Sequence, residues 1–420
     1  MTTVAVVGLG YIGLPTAAML ATHGCEVIGV DIDAGVVDAV NRRQVPVVEP
    51  GLRELVAEAV GSGKLVAQAH MPEADAFIIA VPTAIAEDKA PDLSAVKAAC
   101  MAIARVLRKD NLVVLESTVS PGTTEGLVAA SLETSGLRAG VDFHLAHCPE
   151  RVLPGRILRE IVESDRVVGG TTPPAAEEAA ALYRMFVKGK FHLTEAMTAE
   201  VVKLSENAFR DVNIAFATEL ARICERLGVD AWKAIELANR HSRVDILNPG
   251  PGVGGHCIPV DPWFLVHAAP ELATLMRAAR HVNDSQPALV AQIVLETLEG
   301  IPAPKATLLG ATYKPNVTDT RDSPTRSVAA ALERAGVTVA VHDPHATSFE
   351  QPLVDLSAAL DHSDIAVLLV EHADYQTLDP ADLASRMRSK RLLDTKHFFD
   401  PAPWTEAGFA VRVLGGRRET

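Results

Sequence analysis

The sequence predicts an α/β protein: two Rossmann-like, doubly wound domains joined by a central helical segment that contains one long helix. Three observations lead there. The chain opens on an apolar run, a glycine-rich turn, a helical pattern and a second apolar run, the order of a βαβ unit. From Thr194 to Leu227 it carries neither Pro nor Gly, so that stretch reads as one uninterrupted helix. After the break at Gly300 to Pro304, apolar runs and helical patterns alternate again.

A length of 420 residues exceeds what one core accommodates and predicts two or three domains. The expected boundaries are 1–192, 193–300 and 301–420. In the first, Val4 to Val7 is a strand, Gly8 to Gly13 a turn, Leu14 to His23 a helix and Glu26 to Val30 the next strand. Further strands at Ala76–Val81 and Leu112–Glu116, with a helix at Leu93–Leu107, predict a parallel sheet flanked by helices. Its ligand should lie at the strands' carboxyl ends.

In the centre, Gly228 is placed to end the long helix, and a helix at Trp232–Asn239 follows. A Gly/Pro-rich loop, Asn248–Gly255, precedes more helix. The last part reads as strands at Ala306–Gly310, Val337–His342, Asp364–Val370 and Arg391–Asp394, with a helix at Pro324–Ala335. Its first strand leads into GATYKP rather than Gly-x-Gly-x-x-Gly, so this domain is expected to take a different ligand, or a different part of the same one.

Composition narrows the function. A formal net charge of −14 disfavours nucleic acid as partner, while a few converging Arg and Lys residues can still hold a small anion. The composition, 48% hydrophobic and 22% charged, is that of a soluble globular protein. The five cysteines have no CxxC pair, so neither a disulfide framework nor a metal site is expected, and a reducing cytoplasm fits. No basic leader and no apolar run of about 18 residues argues against secretion or membrane insertion.

Two stretches carry the chemistry. Gly8-Leu9-Gly10-Tyr11-Ile12-Gly13 follows a strand and opens a helix, the context in which backbone N–H groups cradle a pyrophosphate. Asp31, eighteen residues beyond Gly13, is placed to accept from a ribose 2′-hydroxyl and to repel a 2′-phosphate, so NAD is expected rather than NADP. The second stretch, Pro249 to Pro262, puts Cys257 in a glycine-rich loop with Asp261 four residues on. Taken alone, such a cysteine is more often a small buried residue than a nucleophile. On the long helix, Lys203, Asn207 and Arg210 share a face. That face reads either as a solvated stripe or as the charge and neutral donor that an oxyanion needs.

The segments VVGLGYIGLPTA, ESTVSPGTTE, HCPERVLPG, KLSENAFRDVNIAF, GPGVGGHCIPVDPW and YKPNVTDTRDSP together resemble the UDP-glucose/GDP-mannose dehydrogenase family over nearly the whole chain. Within it, CPERVLPG and ANRHSRVDILNPGPGVGGHC most resemble the UDP-N-acetyl-D-mannosamine 6-dehydrogenases. The resemblance implies an NAD domain, a central helical segment through which two copies pair, and a C-terminal domain for a UDP-sugar. It implies Cys257 as nucleophile, Lys203 as proton donor or acceptor, Asn207 as its oxyanion partner and Asp261 as support, with Glu150 and Thr118 near the reacting carbon. Tyr11, Ile12, Asp31, Thr83, Thr118 and Arg321 would touch NAD. Arg151, Val152, Arg210, His241, Arg243, Gly254, Tyr313 and Lys314 would join Lys203 and Asn207 in touching the nucleotide sugar.

One departure stands out. The UDP-glucose enzymes usually carry a second acid four residues after the first, where this chain has Pro154. Together with Arg151, that loss favours an acetamido sugar over glucose. The implied reaction is a four-electron oxidation at C6 with two NAD. The same chemistry on UDP-N-acetylglucosamine, UDP-glucose or GDP-mannose stays open, as do a two-electron β-hydroxyacid dehydrogenase, which needs no cysteine, and a silent dinucleotide-binding protein.

Overall fold

Successive residues of the first strand point to opposite sides of the sheet and bury two different apolar surfaces. Val4 and Val6 join Leu14, Ala17 and Ala18 in one core cluster, while Ala5 and Val7 join Phe77 and Ile79 in the other. A strand buried on both faces must be apolar throughout, which is why it reads as a continuous run.

The structure is a computed structural model that describes residues 2–47, 49–86, 88–153 and 155–417. Pro154 lies outside the described residues. The chain forms two units, Met1–Glu206 with Trp263–Leu272, and Asn207–Pro262 with Ala273–Thr420. The strands of the first are β1 (Thr3–Val7), β2 (Glu26–Val30), β3 (Leu65–Gln68), β4 (Ala76–Ile79), a short ribbon of β5 (Ala84–Ile85) and β6 (Pro91–Asp92), β7 (Leu112–Leu115), β8 (His144–His147), β9 (Arg166–Gly170) and β10 (Phe191–Glu195). Eight of them make one sheet in the order β10-β9-β8-β7-β4-β1-β2-β3. The order reverses between β1 and β4, the position at which doubly wound sheets bind ligands.

The sheet is not wholly parallel as expected: β8 and β9 pair antiparallel through Ala146 with Gly170 and His147 with Gly169. The sequence pattern did not mark these strands, because His144, His147, Arg166 and the half-exposed β10 interrupt any apolar run. The long helix spans Ala196–Leu227, beginning two residues later than its composition suggested because Thr194 and Glu195 complete β10. Gly228 follows with φ +71°, the left-handed conformation that ends helices and that glycine adopts without a Cβ penalty.

The second unit holds β11 (Lys305–Leu309), β12 (Thr338–His342), β13 (Ile365–Leu368), β14 (Arg391–Asp394) and β15 (Ala410–Val413), all parallel, in the order β12-β11-β13-β14-β15. Its order reverses between β11 and β13. Ala306 and Leu308 pack with Val328 and Leu332 on one face, and Leu309 and Leu368 with Tyr375 and Trp404 on the other. Among the described residues no helix is long and apolar enough to cross a membrane.

Candidate active site

At the carboxyl end of β1, the glycine fingerprint divides its work. Gly8 has φ +93°, and a Cβ on it would lie 2.6 Å from the Ala80 carbonyl oxygen. A Cβ on Gly13 would lie 1.8 Å from the Gly8 oxygen, whereas one on Gly10 would meet nothing within 4 Å. Gly8 and Gly13 therefore close the turn, and Gly10 leaves the backbone open to a ligand. The helices beginning after Asp33, Thr172 and Ser323 are capped by those side chains, but the helix Gly13–Thr22 has no side-chain cap. Its first amides suit an anion. These residues fit the pyrophosphate of NAD.

Asp31 accepts from the Leu9 N–H (2.8 Å) on one carboxylate oxygen and from the Asp33 N–H (2.9 Å) on the other. Each oxygen retains a lone pair for a ribose hydroxyl. Beside it, Ile32 is 99% exposed, an apolar side chain at the open end of β2 that the sequence pattern did not single out. Thr83 follows β4 and Thr118 follows β7, both half-buried. The four loops after β1, β2, β4 and β7 thus belong to adjacent strands of one sheet edge.

After β8 the chain enters the segment of Glu150, Arg151 and Val152. Buried Glu49, more than 100 residues earlier, accepts from the Gly155 and Ile157 amides at 2.7 Å each, and Glu160 accepts from the Leu153 amide at 2.8 Å. Glu150 accepts from the Val152 amide and stands 3.9 Å from the Lys203 ammonium. Arg151 makes a bidentate pair with Glu206 (3.1 and 2.5 Å) and donates to the Asp165 carbonyl. Its guanidinium is thereby anchored.

Lys203 is 6% exposed, which rules out the solvated-stripe reading for this residue, although Arg210 on the same face is exposed. Behind it, His147 is fully buried, and burial together with the charge of Lys203 lowers its pKa to about 3. It is a neutral neighbour of that cation. Deeper still, Glu116 accepts from the Tyr183 hydroxyl at 2.7 Å. Burial raises its pKa to about 7 while Arg166 pulls the other way.

In the second unit, Cys257 is exposed, whereas Cys25, Cys100, Cys148 and Cys224 are buried. Burial pushes the thiols of Cys100 and Cys148 up to about 12, so they stay protonated and unreactive. The Cys257 carbonyl accepts from the Val260 (3.1 Å) and Asp261 (2.8 Å) amides. That turn carries the chain from the loop into the helix Asp261–Ala268. Asp261 is 3% exposed and accepts from the Asn207 amide at 2.6 Å. Cys257, Asp261 and Asn207 are thus linked, although Asn207 and Asp261 are 54 residues apart.

Gly254 and Gly255 lie under Tyr313: Cβ atoms there would approach its side chain to 2.9 and 3.0 Å. Tyr313 and Thr312 line a crevice at the β11/β13 reversal, with Gly252, Val370, Glu371 and Lys396. Lys396 pairs with Glu371 at 3.2 Å. Neither was expected from the sequence, although each follows a strand that was. Lys314 is half-buried in the same loop as Tyr313. Arg321 forks onto Asp319 at 2.8 and 2.6 Å. Arg210, His241 and Arg243 are exposed and do not line the crevice, with His241 accepting from the Arg243 amide at 3.3 Å. Among the described residues no group of three or more His, Cys, Asp or Glu could hold a metal ion.

A dinucleotide-binding sheet edge and a second parallel sheet with its own crevice are, by comparison with known proteins, the parts of an NAD-dependent oxidoreductase acting on CH–OH groups of nucleotide sugars. Residues 2–187 match the NAD binding domain, 197–285 the central domain and 307–401 the UDP binding domain of the UDP-glucose/GDP-mannose dehydrogenase family. The chain is 47% identical to a UDP-N-acetyl-D-mannosamine dehydrogenase of Methanococcus maripaludis over 98% of its own length and 96% of that protein's. It is 48% identical to an NDP-N-acetyl-D-galactosaminuronic acid dehydrogenase of Ralstonia solanacearum over 94% and 95%. A solved structure of the UDP-D-ManNAc dehydrogenase of Pyrococcus horikoshii superposes with a TM-score of 0.91 at 40% identity, covering 98% of this chain and 99% of that one. The chain belongs to the UDP-glucose/GDP-mannose dehydrogenase family.

Proposed function

We propose that the protein oxidises UDP-N-acetyl-D-mannosamine at C6 to UDP-N-acetyl-D-mannosaminuronate, using Cys257 as covalent nucleophile. The observation that carries this reading is that the exposed Cys257 sits one turn from Asp261, which in turn holds Asn207. NAD, when bound at the fingerprint of Gly8, Gly10, Tyr11, Ile12 and Gly13 with Asp31, Thr83, Thr118 and Arg321, supplies the hydride acceptor for both oxidations.

Lys203 in its unprotonated form, or a water it orders, takes the proton of the 6-hydroxyl as the alcohol loses its first hydride, and Lys203 acts as a cation in the steps that follow. The resulting aldehyde cannot lose a second until a nucleophile adds. The Cys257 thiolate forms a C–S bond to it, and Lys203 with Asn207 stabilises the oxyanion before it is protonated to a thiohemiacetal. Loss of the second hydride and the hydroxyl proton leaves a thioester. Water, oriented by Asp261 or Glu150, adds to its carbonyl, the thiolate leaves, and the carboxylate is released. Arg151, Val152, Gly254, Tyr313 and Lys314 contact the nucleotide sugar in this reading, with Lys396 from the crevice. The exposed Arg210, His241 and Arg243, which do not line that crevice, reach the sugar held by a second copy of the chain.

The test is turnover with UDP-N-acetylmannosamine, UDP-N-acetylglucosamine, UDP-glucose and GDP-mannose, counting NADH against product. Two NADH per sugar acid and the highest kcat/KM for UDP-N-acetylmannosamine are expected. A one-to-one ratio with a stable aldehyde would sink the four-electron reading, and a higher kcat/KM for another sugar would reassign the substrate.

Two copies are proposed to pair through the long helix. Phe209, Phe216 and Ile223 are 72%, 55% and 48% exposed at intervals of seven residues, the spacing of a helix–helix seam. Sedimentation at the mass of two chains is expected. A monomer at micromolar concentration would overturn it.

A further inference from the structure

We infer that the buried pair Asp343–His372 is a positioning device that sets the 311–316 loop, and with it the affinity of the crevice for the nucleotide. This rests on the reading of that crevice as the nucleotide site. Val370 and Glu371 form one wall of the crevice and Thr312 and Tyr313 the other, and His372 follows Glu371 outside the lining. Its ring is fully buried and ties the two walls together from behind.

The hydrogen bonds fix how it does so. The Asn316 amide donates to Nδ1 at 3.0 Å, so the hydrogen of the neutral ring is on Nε2. Nε2 lies 3.0 Å from an Asp343 carboxylate oxygen and 3.1 Å from the Thr312 hydroxyl oxygen. That hydroxyl gives its own hydrogen to the Lys314 carbonyl at 2.9 Å, so its oxygen is free to accept. The same Asp343 oxygen takes the Ala311 and Thr312 amides at 2.6 and 3.1 Å. On the far side the Asn316 side-chain oxygen accepts from the Ala373 amide at 3.0 Å. Residues 311, 312, 314 and 316 are thus all held, directly or through one atom, by two side chains and the backbone beside them. Asn316 has φ +59°, a conformation that costs energy for a residue with a Cβ and persists where surrounding bonds over-determine it.

A loop held at this many points presents Tyr313 and Lys314 in one arrangement before the ligand arrives, so binding loses less entropy. Neither His372 nor Asp343 lines the crevice. Loosening the tie should therefore weaken binding and leave the chemical steps alone.

The experiment compares the full-length wild type with His372→Ala, His372→Asn and Asn316→Gly, measuring UDP binding by calorimetry, steady-state kinetics with the sugar substrate and NAD, and thermal unfolding. In His372→Ala the UDP Kd and the KM for the nucleotide sugar should rise about tenfold, or about 1.4 kcal/mol, with kcat and the KM for NAD changed by less than about threefold. In His372→Asn a side-chain oxygen can replace Nδ1 as acceptor for the Asn316 amide, and part of the affinity should return. Asn316→Gly accepts the positive φ and loses only the bond to Ala373, so it keeps the test available should His372→Ala not fold. It should raise the UDP Kd about threefold. Folded variants that bind UDP as the wild type does, or that lose kcat at unchanged KM, would overturn the positioning role. A wild type that neither binds UDP nor oxidises any UDP-sugar would instead remove the nucleotide reading beneath it, and this inference with it.

Discussion

Replacing Cys257 with Ser or Ala is expected to cut uronate formation by on the order of 1,000-fold or more while the first oxidation survives. The two halves of the reaction differ in what they need. An alcohol carries its own hydride and requires only that its proton be taken, whereas an aldehyde must first gain a nucleophile at carbon. A serine hydroxyl is scarcely ionised near neutral pH, where a thiol is partly thiolate, and an oxygen ester would leave less readily than a thioester. The expected readout is therefore one NADH per sugar and an aldehyde that hydroxylamine traps. The fold should be indifferent to the change, because Cys257 is exposed and is in none of the apolar clusters formed by the described residues. Cys100→Ser provides the contrast: it puts a hydroxyl into a fully buried core position and should lower the unfolding temperature without altering the two-to-one ratio. Two NADH per sugar from the Cys257→Ala variant would remove the covalent step from the mechanism.

The difference between what could and could not be read beforehand follows from range. Gly8, Gly10 and Gly13 act on backbone within a few residues of themselves, and β1 announces itself because both of its faces are buried, so the cofactor end was legible from residue order alone. Strands β8 to β10 were not, because polar residues at their edge break the run that marks a buried strand. β15 was missed as well: its residues are half-buried or exposed. Pairings across long stretches were equally hidden. Nothing near Glu49 indicates that it holds amides at Gly155 and Ile157, and nothing near Asn207 points to Asp261. Lys396 and Glu371 follow strands that were anticipated, and they were missed because a residue at a strand's carboxyl end becomes a site candidate only when the strand order is known. The exposure of Cys257 is of the same kind. A glycine-rich loop suggests an accessible cysteine, but only the burial of the other four separates it from them.

Lys203→Ala is expected to lower kcat by about 100-fold or more at a KM changed only severalfold, the size of effect seen when a preorganised oxyanion donor is removed. The environment of Lys203 explains why the loss should be large. The side chain is buried, Glu150 is 3.9 Å away, and the adjacent His147 is held neutral. In such surroundings a cation is poorly screened and acts strongly on a developing negative charge. Lys203→Met keeps most of the stem and separates the lost charge from the lost volume. It should resemble Lys203→Ala in kcat and the wild type more closely in stability. Lys203→Arg divides the remaining possibilities, because a guanidinium keeps the charge but does not give up a proton near neutral pH. If Lys203 only stabilises the oxyanion, Arg should recover part of the rate. If it also takes the proton of the 6-hydroxyl, Arg should be nearly as slow as Met, and the first NADH should be as delayed as the second. A rise in KM with kcat unchanged in all three variants would make Lys203 a binding residue and leave the proton without an acceptor on the long helix.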